Sequence, residues 1–423
     1  MLTKAPKGTK DILPADTARW RRLERDFVGA CRKAGFEEIR TPVFEHTELF
    51  ARGIGDASDV VRKQMYTFED LGHRSVTLRP EGTAGVARAF IENKMYAEPL
   101  PVKLWYEISC FRYERPQSGR FREFHQFGIE VFGSHDMTAD AEVIGLADAF
   151  LRGLGLTELS LRVNSIGCPS CRPSYREALK VFLEPRYTEL CDTCKLRYER
   201  NPLRILDCKS SVCHELVHGA PVMMDYLCEE CRSAFTQLES YLTARSIAYE
   251  VDTSIVRGLD YYTKTAFEFV SDMIGAQGTV CGGGRYDHLI AELGGPDVPG
   301  VGFGLGIERL LLLLENTGIE LPAEPGPDVF VAYIGDGAKL RAQAVATDLR
   351  ASGVSADIDT AARGIKGQFK YADRIGARYA LTIGDNELSS GVAPLKDMAT
   401  GDERKVPLAD IAKFIVGNSE GEG

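Results

Sequence analysis

The sequence has no long apolar run. Its longest stretch of consecutive leucines, Leu310 to Leu314, is bounded by Arg309 and Glu315, and it is far shorter than the roughly 18 apolar residues that a membrane-spanning helix needs. We therefore expect no transmembrane segment and interpret this stretch as a buried helix. The first residues, MLTKAPKGTKD, contain no apolar segment of the kind that secretory signals carry. Together these absences predict a cytoplasmic protein without a membrane partner.

Positive charge is also in deficit. The 423 residues include 51 Lys and Arg against 61 Asp and Glu, which gives a net charge of −10. This balance argues against a protein that coats nucleic acid, although a local basic patch can still bind nucleic acid.

We find no internal repeat with a period of roughly 20–50 residues, which excludes a solenoid or propeller. The length predicts two to three domains of about 150 residues each.

Cysteine, by contrast, is abundant and clustered. Of the 11 cysteines, eight fall between residues 168 and 231, and they include three C-x-x-C pairs. The first two pairs, Cys168/Cys171 and Cys191/Cys194, are separated by a span close to that of zinc ribbons. Such a protein is expected to hold thiols or metal ligands rather than disulfides. Because most of the segment has a helical pattern, a structural zinc and metal-free thiols both remain open.

Arginine is concentrated in one stretch of this acidic chain. Two runs that alternate apolar and polar residues, 103–110 and 124–133, flank it and predict antiparallel strands joined by a turn. Guanidinium forks bind phosphate oxygens bidentately and keep their charge, so the hairpin predicts a polyphosphate site. A surface hairpin with solvated arginines is the alternative. The arginines are Arg112, Arg115, Arg120 and Arg122.

The returning strand has an unusual face. Phe124, Gln126, Gly128 and Glu130 share that face by the strand period of two. They offer an aromatic plane, an amide, a gap and a carboxylate where a simple hairpin would be apolar. This composition favours a ligand site over the surface hairpin.

These residues resemble a known family. The stretch FRYERPQSGRFREFHQ together with Glu130 resembles motif 2 of the class II aminoacyl-tRNA synthetases, in the form carried by histidyl-tRNA synthetases. Residues 256–263, VRGLDYYT, are similar to the histidine-binding signature of that family, and residues 281–287, CGGGRYD, to its partner glycine loop. Residues 300–309, GVGFGLGIER, resemble motif 3, and Pro42 stands at the proline of motif 1.

The resemblance implies a fold and a domain order. An α+β catalytic domain built on an antiparallel sheet is expected at residues 1–325, with a Cys-rich, mostly helical insertion at residues 168–240. An anticodon-binding α/β domain is expected at residues 326–423, where strand and helix patterns alternate after a Pro-rich linker. Motif 1 implies a homodimer, whereas the residues alone also permit a helix–strand unit with Pro42 at a sheet edge.

The implied activity is histidine–tRNA ligation. L-histidine and ATP would form histidyl-adenylate, and the histidyl group would then pass to the 3′ end of tRNA(His). Arg112 and Arg257 would clamp the α-phosphate of ATP, and Mg²⁺ would bridge the outer phosphates. The other ATP contacts would be Glu114, Arg120, Phe124 and Arg309, with Phe124 stacked on adenine.

The histidine pocket is implied in the same way. Glu130 and Tyr262 would hold the two imidazole nitrogens. Two of the other residues have a second interpretation, because Thr83 could cap the following helix while Glu81 complements its dipole. The residues alone leave both interpretations open. The implied histidine contacts are Glu81, Gly82, Thr83, Gln126, Glu130, Arg257, Tyr261 and Tyr262.

A basic stripe is predicted near the C-terminus. Four cations recur at three- and four-residue spacing, which places them on one face of a helix. They form either a solvated surface or a contact for tRNA phosphates. The residues are Arg363, Lys366, Lys370 and Arg374.

Two other functions would use parts of this sequence. A non-catalytic, synthetase-like regulatory subunit of ATP phosphoribosyltransferase would keep the core, but we expect it to have eroded motifs and no C-terminal domain. A zinc-organised RNA-binding protein would explain the cysteines and the basic stripe. Neither accounts for the intact set of Arg112, Arg257, Tyr262 and Arg309.

Overall fold

The computed structural model describes residues 3–55, 60–206, 208, 210–255, 259–275, 278–321 and 325–419. The chain forms two compact units, Met1–Leu321 and Pro322–Gly423. The strands are β1 Glu37–Glu38, β2 Phe44–His46, β3 Tyr66–Glu69, β4 Ser75–Leu78, β5 Val102–Phe111, β6 Glu123–Phe132, β7 Ser160–Ser165, β8 Glu250–Val251, β9 Thr263–Val270, β10 Thr279–Arg285, β11 Gly300–Gly306, β12 Val329–Tyr333, β13 Ala356–Ile358, β14 Tyr379–Ile383, β15 Val392–Asp397 and β16 Glu403–Pro407.

The helices complete the element order. They are α1 Pro14–Lys33, α2 Thr47–Ile54, α3 Thr83–Glu92, α4 Met137–Gly153, α5 Arg172–Leu183, α6 Asp192–Arg200, α7 Ser211–Leu216, α8 Glu229–Ala244, α9 Leu289–Glu292, α10 Ile307–Asn316, α11 Asp336–Ala351, α12 Ile365–Arg374, α13 Asp385–Ser390 and α14 Ile411–Ser419. Within the part of the chain that the structure describes, no helix combines the length and the apolar character needed to cross a bilayer.

The first unit is organised around an eight-stranded sheet. Its strand order is β1-β5-β6-β11-β10-β9-β7-β8. The six inner strands of this order all pair antiparallel with one another. The two-residue edge strands pair parallel, β1 with β5 and β8 with β7. A smaller antiparallel sheet has the order β2-β4-β3. The predicted α+β fold built on an antiparallel sheet is therefore confirmed.

The alternating runs around the arginines form the central hairpin. Strands β5 and β6 pair from Val102–Phe132 to Phe111–Glu123, and residues 112–122 connect them. In β6, Phe127, Ile129 and Val131 enter the main hydrophobic core, so the intervening residues face the other side of the sheet. The predicted hairpin and its two-faced second strand are confirmed.

Helices cover the apolar side of this sheet. In α1, Leu23, Phe27 and Cys31 recur every four residues and are buried. The ring of Phe27 stacks on Phe127 of β6 with centroids 4.4 Å apart. Burying a side chain of this size stabilises the fold by about 1.5–3 kcal/mol. The leucine run 310–314 lies in α10 and joins the same core, as the sequence predicts.

The predicted glycine loop at residues 281–287 is wrong. Residues 282–284 lie in the middle of β10, which pairs with β9 and β11. A Cβ at Gly283 would overlap the carbonyl oxygen of Gly302 and lie 2.8 Å from the Phe267 ring. The glycines therefore allow close strand pairing. A run of glycines in the sequence is compatible with a loop and with closely paired strands, so the sequence alone does not distinguish the two.

The segment between β7 and β8 is helical and contains α5, α6, α7 and α8. Helix α8 returns to the main core through Phe235, Leu238 and Leu242. The rest of the segment has a small core of its own, in which the buried residues are Cys171, Tyr175, Leu179, Leu183, Leu190, Cys194, Leu203, Ile205, Cys213, Leu216, Met223, Leu227 and Cys231.

The second unit is an α/β sandwich with its own core. Strands β13, β12 and β14 are parallel neighbours, and β15 and β16 extend the sheet antiparallel. The predicted alternation of strands and helices is confirmed through β14. The β15–β16 hairpin was not predicted, because Pro394 weakens the strand signal of its first strand.

Candidate active site

A cavity of about 460 Å³ opens on the polar face of the eight-stranded sheet. Its walls come from β5, β6, β9, β10 and β11, from the start of α3 and α10, and from the hairpin connection. Eleven of the residues predicted for the site line it. They are Glu81, Gly82, Thr83, Arg112, Glu114, Arg120, Phe124, Gln126, Tyr261, Tyr262 and Arg309.

Three arginines, two from the hairpin connection and one from the distant helix α10, meet at this cavity. Arg112 donates from Nε to the carbonyl oxygen of Pro80 at 2.8 Å, and its guanidinium lies 5.2 Å from the centre of the Phe124 ring. Arg120 pairs with Glu114 at 3.0 Å, while its buried Nε has no acceptor within the described residues. Arg309 donates from Nη1 to the carbonyl oxygen of Thr279 at 2.7 Å.

The arginines affect one another electrostatically. Burial lowers the pKa of Arg309, and the positive charges of Arg120 and Arg112 lower it further. Crowding like charges in a partly buried site costs free energy unless an anion compensates them. The arrangement therefore suits a ligand with several negative charges, and guanidinium groups bind phosphate best through paired oxygens.

Glu81 caps helix α3. Its carboxylate accepts from the backbone N–H of Thr83 at 2.7 Å and of Ala84 at 2.9 Å. Thr83 itself is the first residue of the helix, and its hydroxyl donates to Glu130 at 2.8 Å. The alternative in which Thr83 caps the helix is therefore wrong, and Glu81 has the role of complementing the helix dipole. Both side chains also line the cavity.

Glu130 lies immediately beneath the cavity rather than on its wall. One carboxylate oxygen accepts from Thr83 and, at 3.0 Å, from the Tyr106 hydroxyl, and the other accepts from the Tyr286 hydroxyl. Burial raises the pKa of Glu130 to about 8 although hydroxyl donors oppose the shift, and the nearby Glu81 adds to it.

Two glycines make room for this buried network. A Cβ at Gly128 would overlap the Tyr106 ring, and a Cβ at Gly302 would overlap the Glu130 carboxylate. The gap that the sequence showed on the β6 face is thus filled by Tyr106 from the neighbouring strand. Burial also raises the pKa of Tyr106 and Tyr286 well above their usual range, so both hydroxyls stay protonated as donors.

Several lining residues were missed in the sequence. Glu268 and Glu308 add carboxylates to the wall, and Glu308 accepts from the His125 backbone N–H at 3.0 Å. Tyr106 and Tyr286 complete the Glu130 network. Glu268 could have been suspected from the sequence, because it is a carboxylate inside the apolar strand pattern TKTAFEFV. The neighbouring residues do not show which face of that strand lines the cavity.

Arg257 lies outside the described residues, so its predicted contact with the α-phosphate stays a prediction. The residues that follow it are described. Tyr261 and Tyr262 are buried at the cavity wall with ring centroids 4.7 Å apart. Asp260 is held by Asn201 at 3.0 Å and by Arg204 at 2.8 Å, which connects this part of the site to the cysteine-rich segment.

The cysteines form two separate clusters. The first tetrad is Cys168, Cys171, Cys228 and Cys231, and the second tetrad is Cys191, Cys194, Cys208 and Cys213. The predicted grouping of the pairs 168/171 and 191/194 in one ribbon-like site is therefore wrong. Each pair instead meets cysteines that come later in the chain.

The basic stripe is only partly helical. Helix α12 begins at Ile365, so Arg363 precedes it, and Arg363 forms an ion pair with the buried Asp359. Lys366, Lys370 and Arg374 are exposed at four-residue spacing along the helix, as predicted. The stripe that is available to a partner therefore consists of three cations.

The sequence profile described as histidyl-tRNA synthetase matches residues 8–169 and 213–310. The chain is 55% identical over 415 residues to the histidine–tRNA ligase of Caldanaerobacter subterraneus subsp. tengcongensis. The matched region covers 98% of this chain and 100% of that protein. The chain belongs to the histidyl-tRNA synthetase family. It is 52% identical over 408 residues to the histidine–tRNA ligase of Acetivibrio thermocellus, a match that covers 96% of this chain and 98% of that protein.

Structural comparison agrees with this membership. The crystal structure of apo S. aureus histidyl-tRNA synthetase matches with a TM-score of 0.83 at 42% identity, covering 97% of this chain and 99% of that one. A second profile, described as an anticodon binding domain, matches residues 328–418. Within this histidyl-tRNA synthetase family member, residues 170–212 fall between the two matched parts of the first profile, and they contain most of the second tetrad.

Proposed function

We propose that this chain is a histidine–tRNA ligase, which activates L-histidine with ATP and transfers it to the 3′ end of tRNA(His). The observation that carries the proposal is the convergence of Arg112, Arg120 and Arg309 on one cavity that also contains the predicted histidine-pocket residues Thr83 and Tyr262. Curated relatives that are more than half identical over nearly the whole chain carry the name histidine–tRNA ligase.

The first step would join histidine to the α-phosphorus of ATP. The histidine carboxylate attacks that phosphorus, the bond to the bridging oxygen breaks, and pyrophosphate leaves. Such a step depends on alignment and on fixed positive charge where negative charge develops. Arg112, together with Arg257 as the resemblance implies, would hold the α-phosphate, while Arg120 and Arg309 would hold the outer phosphates.

Adenine and the metal would occupy the same cavity. Phe124 would stack on adenine, and the Arg112 guanidinium lies over that ring, 5.2 Å from its centre. Mg²⁺ prefers oxygen ligands and bridges phosphates in many nucleotide sites. The cavity wall carries the carboxylates of Glu114, Glu268 and Glu308, which are the candidate protein ligands, and Mg²⁺ would neutralise charge on the leaving pyrophosphate.

The histidine pocket would occupy the other end of the cavity. Glu81, Gly82, Thr83 and Gln126 would hold the amino-acid backbone, with Tyr261 closing the wall. Tyr262 would contact one imidazole nitrogen and Glu130 the other. Since Glu130 already accepts three hydroxyl donors, an imidazole N–H would have to replace one of them.

The second unit would bind tRNA. The anticodon-binding profile supports this role, and the exposed cations Lys366, Lys370 and Arg374 are the proposed phosphate contacts. This activity also supports the cytoplasmic location that the sequence predicts, since tRNA is charged where proteins are made.

We also propose a homodimer through the motif 1 region. Phe44 of β2 is 56% exposed, Phe68 of β3 is 48% exposed, and Val43 is 44% exposed. Phe44 and Phe68 lie on the same face of the small sheet, because their partners Leu78 and Val76 are two residues apart in β4. A second copy would cover this apolar face, and light scattering of the purified protein would give its mass.

Charging of tRNA with labelled histidine tests the proposed function. We expect histidyl-tRNA(His) to accumulate only when ATP, histidine and tRNA(His) are all present. A regulatory subunit or an RNA-binding protein would bind ligands without forming this product. Absence of the product with a folded, ATP-binding protein would contradict the proposal.

A further inference from the structure

The two cysteine tetrads have no part in the proposed reaction, yet both are built to one pattern. Within each tetrad the four sulfur atoms all lie within 4.8 Å of one another, with two buried and two half-buried residues. In the first tetrad, Cys168 Sγ is 3.5 Å from Cys171 Sγ and 3.9 Å from Cys228 Sγ. In the second, Cys191 Sγ is 3.9 Å from Cys208 Sγ.

These separations match a single tetrahedral ion. Four Zn–S bonds of about 2.3 Å place the sulfurs about 3.8 Å apart. The distances are far longer than the roughly 2.05 Å of a disulfide bond, and all eight cysteines are free thiols. A complete set of four sulfurs leaves no open position for a substrate, which is the arrangement of structural rather than catalytic zinc.

The surrounding backbone directs N–H groups toward the sulfur atoms. Cys171, Cys191 and Cys228 are the residues that precede the first turns of α5, α6 and α8, where the positive end of the helix dipole would face a metal-bound sulfur. The Cys228 N–H donates to Cys171 Sγ at 3.1 Å, and the Cys191 N–H donates to Cys213 Sγ at 3.3 Å. Such hydrogen bonds to ligand atoms accompany metal sites.

The insertion is a small unit that a cross-link would stabilise. Its separate core has 13 buried members, and four of them are themselves cysteines. Small helical units of this kind are stabilised by disulfides or a metal because their apolar core is insufficient. The first tetrad joins the segment's entry at residues 168–171 to its return at residues 228–231, and the second tetrad cross-links α6 to α7.

We propose that each tetrad binds one structural Zn²⁺ through four cysteine thiolates, so that the chain holds two zinc ions in the segment between β7 and β8. Each ion displaces the thiol protons of its four ligands. The second site lies largely in residues 170–212, which the family profile does not match.

The zinc sites also support the histidine pocket. Arg172, next to Cys171, donates to the carbonyl oxygens of Tyr262 and, at 3.2 Å, Ile166. Asn201 and Arg204, between Cys194 and Cys208, hold Asp260. Each tetrad therefore anchors part of the Asp260–Tyr262 segment from outside the cavity, and these anchors act as positioning residues.

Metal analysis of the purified full-length protein, prepared without chelator, tests the two sites. We expect two equivalents of zinc per chain by mass spectrometry of the elements. Titration with a mercurial reagent should release both equivalents as eight thiols react, and this measurement needs no variant. Less than about a tenth of an equivalent, or iron in place of zinc, would overturn the proposal.

Cysteine variants separate the sites. Cys228→Ser should lower the zinc content to one equivalent, and Cys208→Ser should do the same. Cys31→Ala, which removes a buried thiol of α1 in the main core, is the matched control and should retain two equivalents. A tetrad whose variant leaves the zinc content of the folded protein unchanged is not a zinc site.

The link to the pocket has its own readout, and this part rests on the proposed function. In ATP–pyrophosphate exchange, each Cys→Ser variant should raise the KM for histidine more than the KM for ATP. Equal changes in both constants would overturn the positioning role while leaving the zinc sites intact. Zinc content is measured independently of activity, so failure of the proposed function and failure of the zinc sites are distinguishable.

Discussion

Arg309 shows how a single side chain can connect the site. It contacts the Thr279 carbonyl oxygen of β10 and, at 3.4 Å, the Gly119 carbonyl oxygen of the hairpin connection. Its pKa is lowered by burial and by Arg120 and Arg112, so an anion at this position offsets repulsion that the protein alone leaves in place. The same three charges would stabilise a transition state in which phosphate oxygens gain negative charge.

Replacing this arginine tests its role. We expect Arg309→Ala to lower histidine-dependent ATP–pyrophosphate exchange by about 10²–10³-fold, the usual cost of removing one preorganised charge donor. Arg115→Ala is the matched control, because Arg115 lies in the hairpin connection that Arg309 contacts but is exposed and does not line the cavity. Equal activity of the two variants would contradict the assignment. Arg257→Ala should behave like Arg309→Ala.

The shifted pKa of Glu130 predicts how the free energy of unfolding depends on pH. Its pKa of about 8 in the folded protein is above its ordinary value, so the folded state retains a proton that the unfolded chain loses above about pH 4.3. Stability from this group is therefore present at low pH and is lost as pH rises toward 8, by at most about 1.4 kcal/mol per pH unit. Urea unfolding of the wild type and Glu130→Gln should show this decline only in the wild type. Parallel pH profiles would contradict the shift.

The same substitution tests the pocket. Glu130→Gln should weaken histidine binding by about tenfold or more, since an acceptor for an imidazole N–H is removed or reoriented. ATP binding should be largely retained, because Glu130 hydrogen-bonds to Thr83, Tyr106 and Tyr286 and to none of the arginines. Calorimetric titration with each ligand provides the comparison. Equal loss of both affinities would make Glu130 a purely structural residue.

At the scale of elements, the β5–β6 hairpin divides the protein into a packed side and a reactive side. Its alternation sends Phe127, Ile129 and Val131 to the helices and leaves Phe124 and Gln126 on the cavity wall. Tyr106 crosses from β5 into the space that Gly128 leaves open. A rigid pair of strands thereby fixes an aromatic ring, an amide and a hydroxyl relative to one another.

Filling that space should damage the site. Gly128→Ala places a methyl group in the Tyr106 ring, and we expect it to cost about 1–3 kcal/mol of stability and to lower histidine activation. Gly29→Ala is the matched control, since no atom lies within 4 Å of the added methyl in α1. It should stabilise the protein by about 0.5–1 kcal/mol. Thermal unfolding of both variants makes the comparison, and a neutral Gly128→Ala would contradict this packing.

Local sequence patterns could predict the helices and strands but not the tertiary contacts between them. Alternation predicted both strands of the hairpin, and the spacing of cations predicted the exposed face of α12. The glycine run of β10 was misassigned because close strand pairing and a tight loop both select glycine. The partners of Glu130 come from β5, α3 and the residue after β10, and the first cysteine tetrad links residues about sixty apart. Contacts of that range leave no local signal.

At the scale of the whole molecule, the proposed activation site and the match to the anticodon-binding profile lie in different units. The cavity is lined by residues of Met1–Leu321, whereas the anticodon-binding profile matches within Pro322–Gly423. Each unit has its own hydrophobic core. Histidine activation and tRNA charging can therefore be measured separately.

Removal of the second unit should separate them. A chain ending at Leu321 should retain histidine-dependent ATP–pyrophosphate exchange, because the described cavity is complete within the first unit. Charging of tRNA(His) should fall by at least about tenfold, because phosphate contacts are lost. A truncated protein that is folded by circular dichroism but inactive in exchange would contradict this division.

The central claim is that the converging arginines and the tyrosine-lined pocket form one site that activates histidine. Amino-acid-dependent ATP–pyrophosphate exchange, measured with histidine and with each of the other protein amino acids in turn, tests it most directly. We predict rapid exchange with L-histidine and none above background with the others. Exchange that is absent with histidine, or equally fast with a different amino acid, would contradict the account.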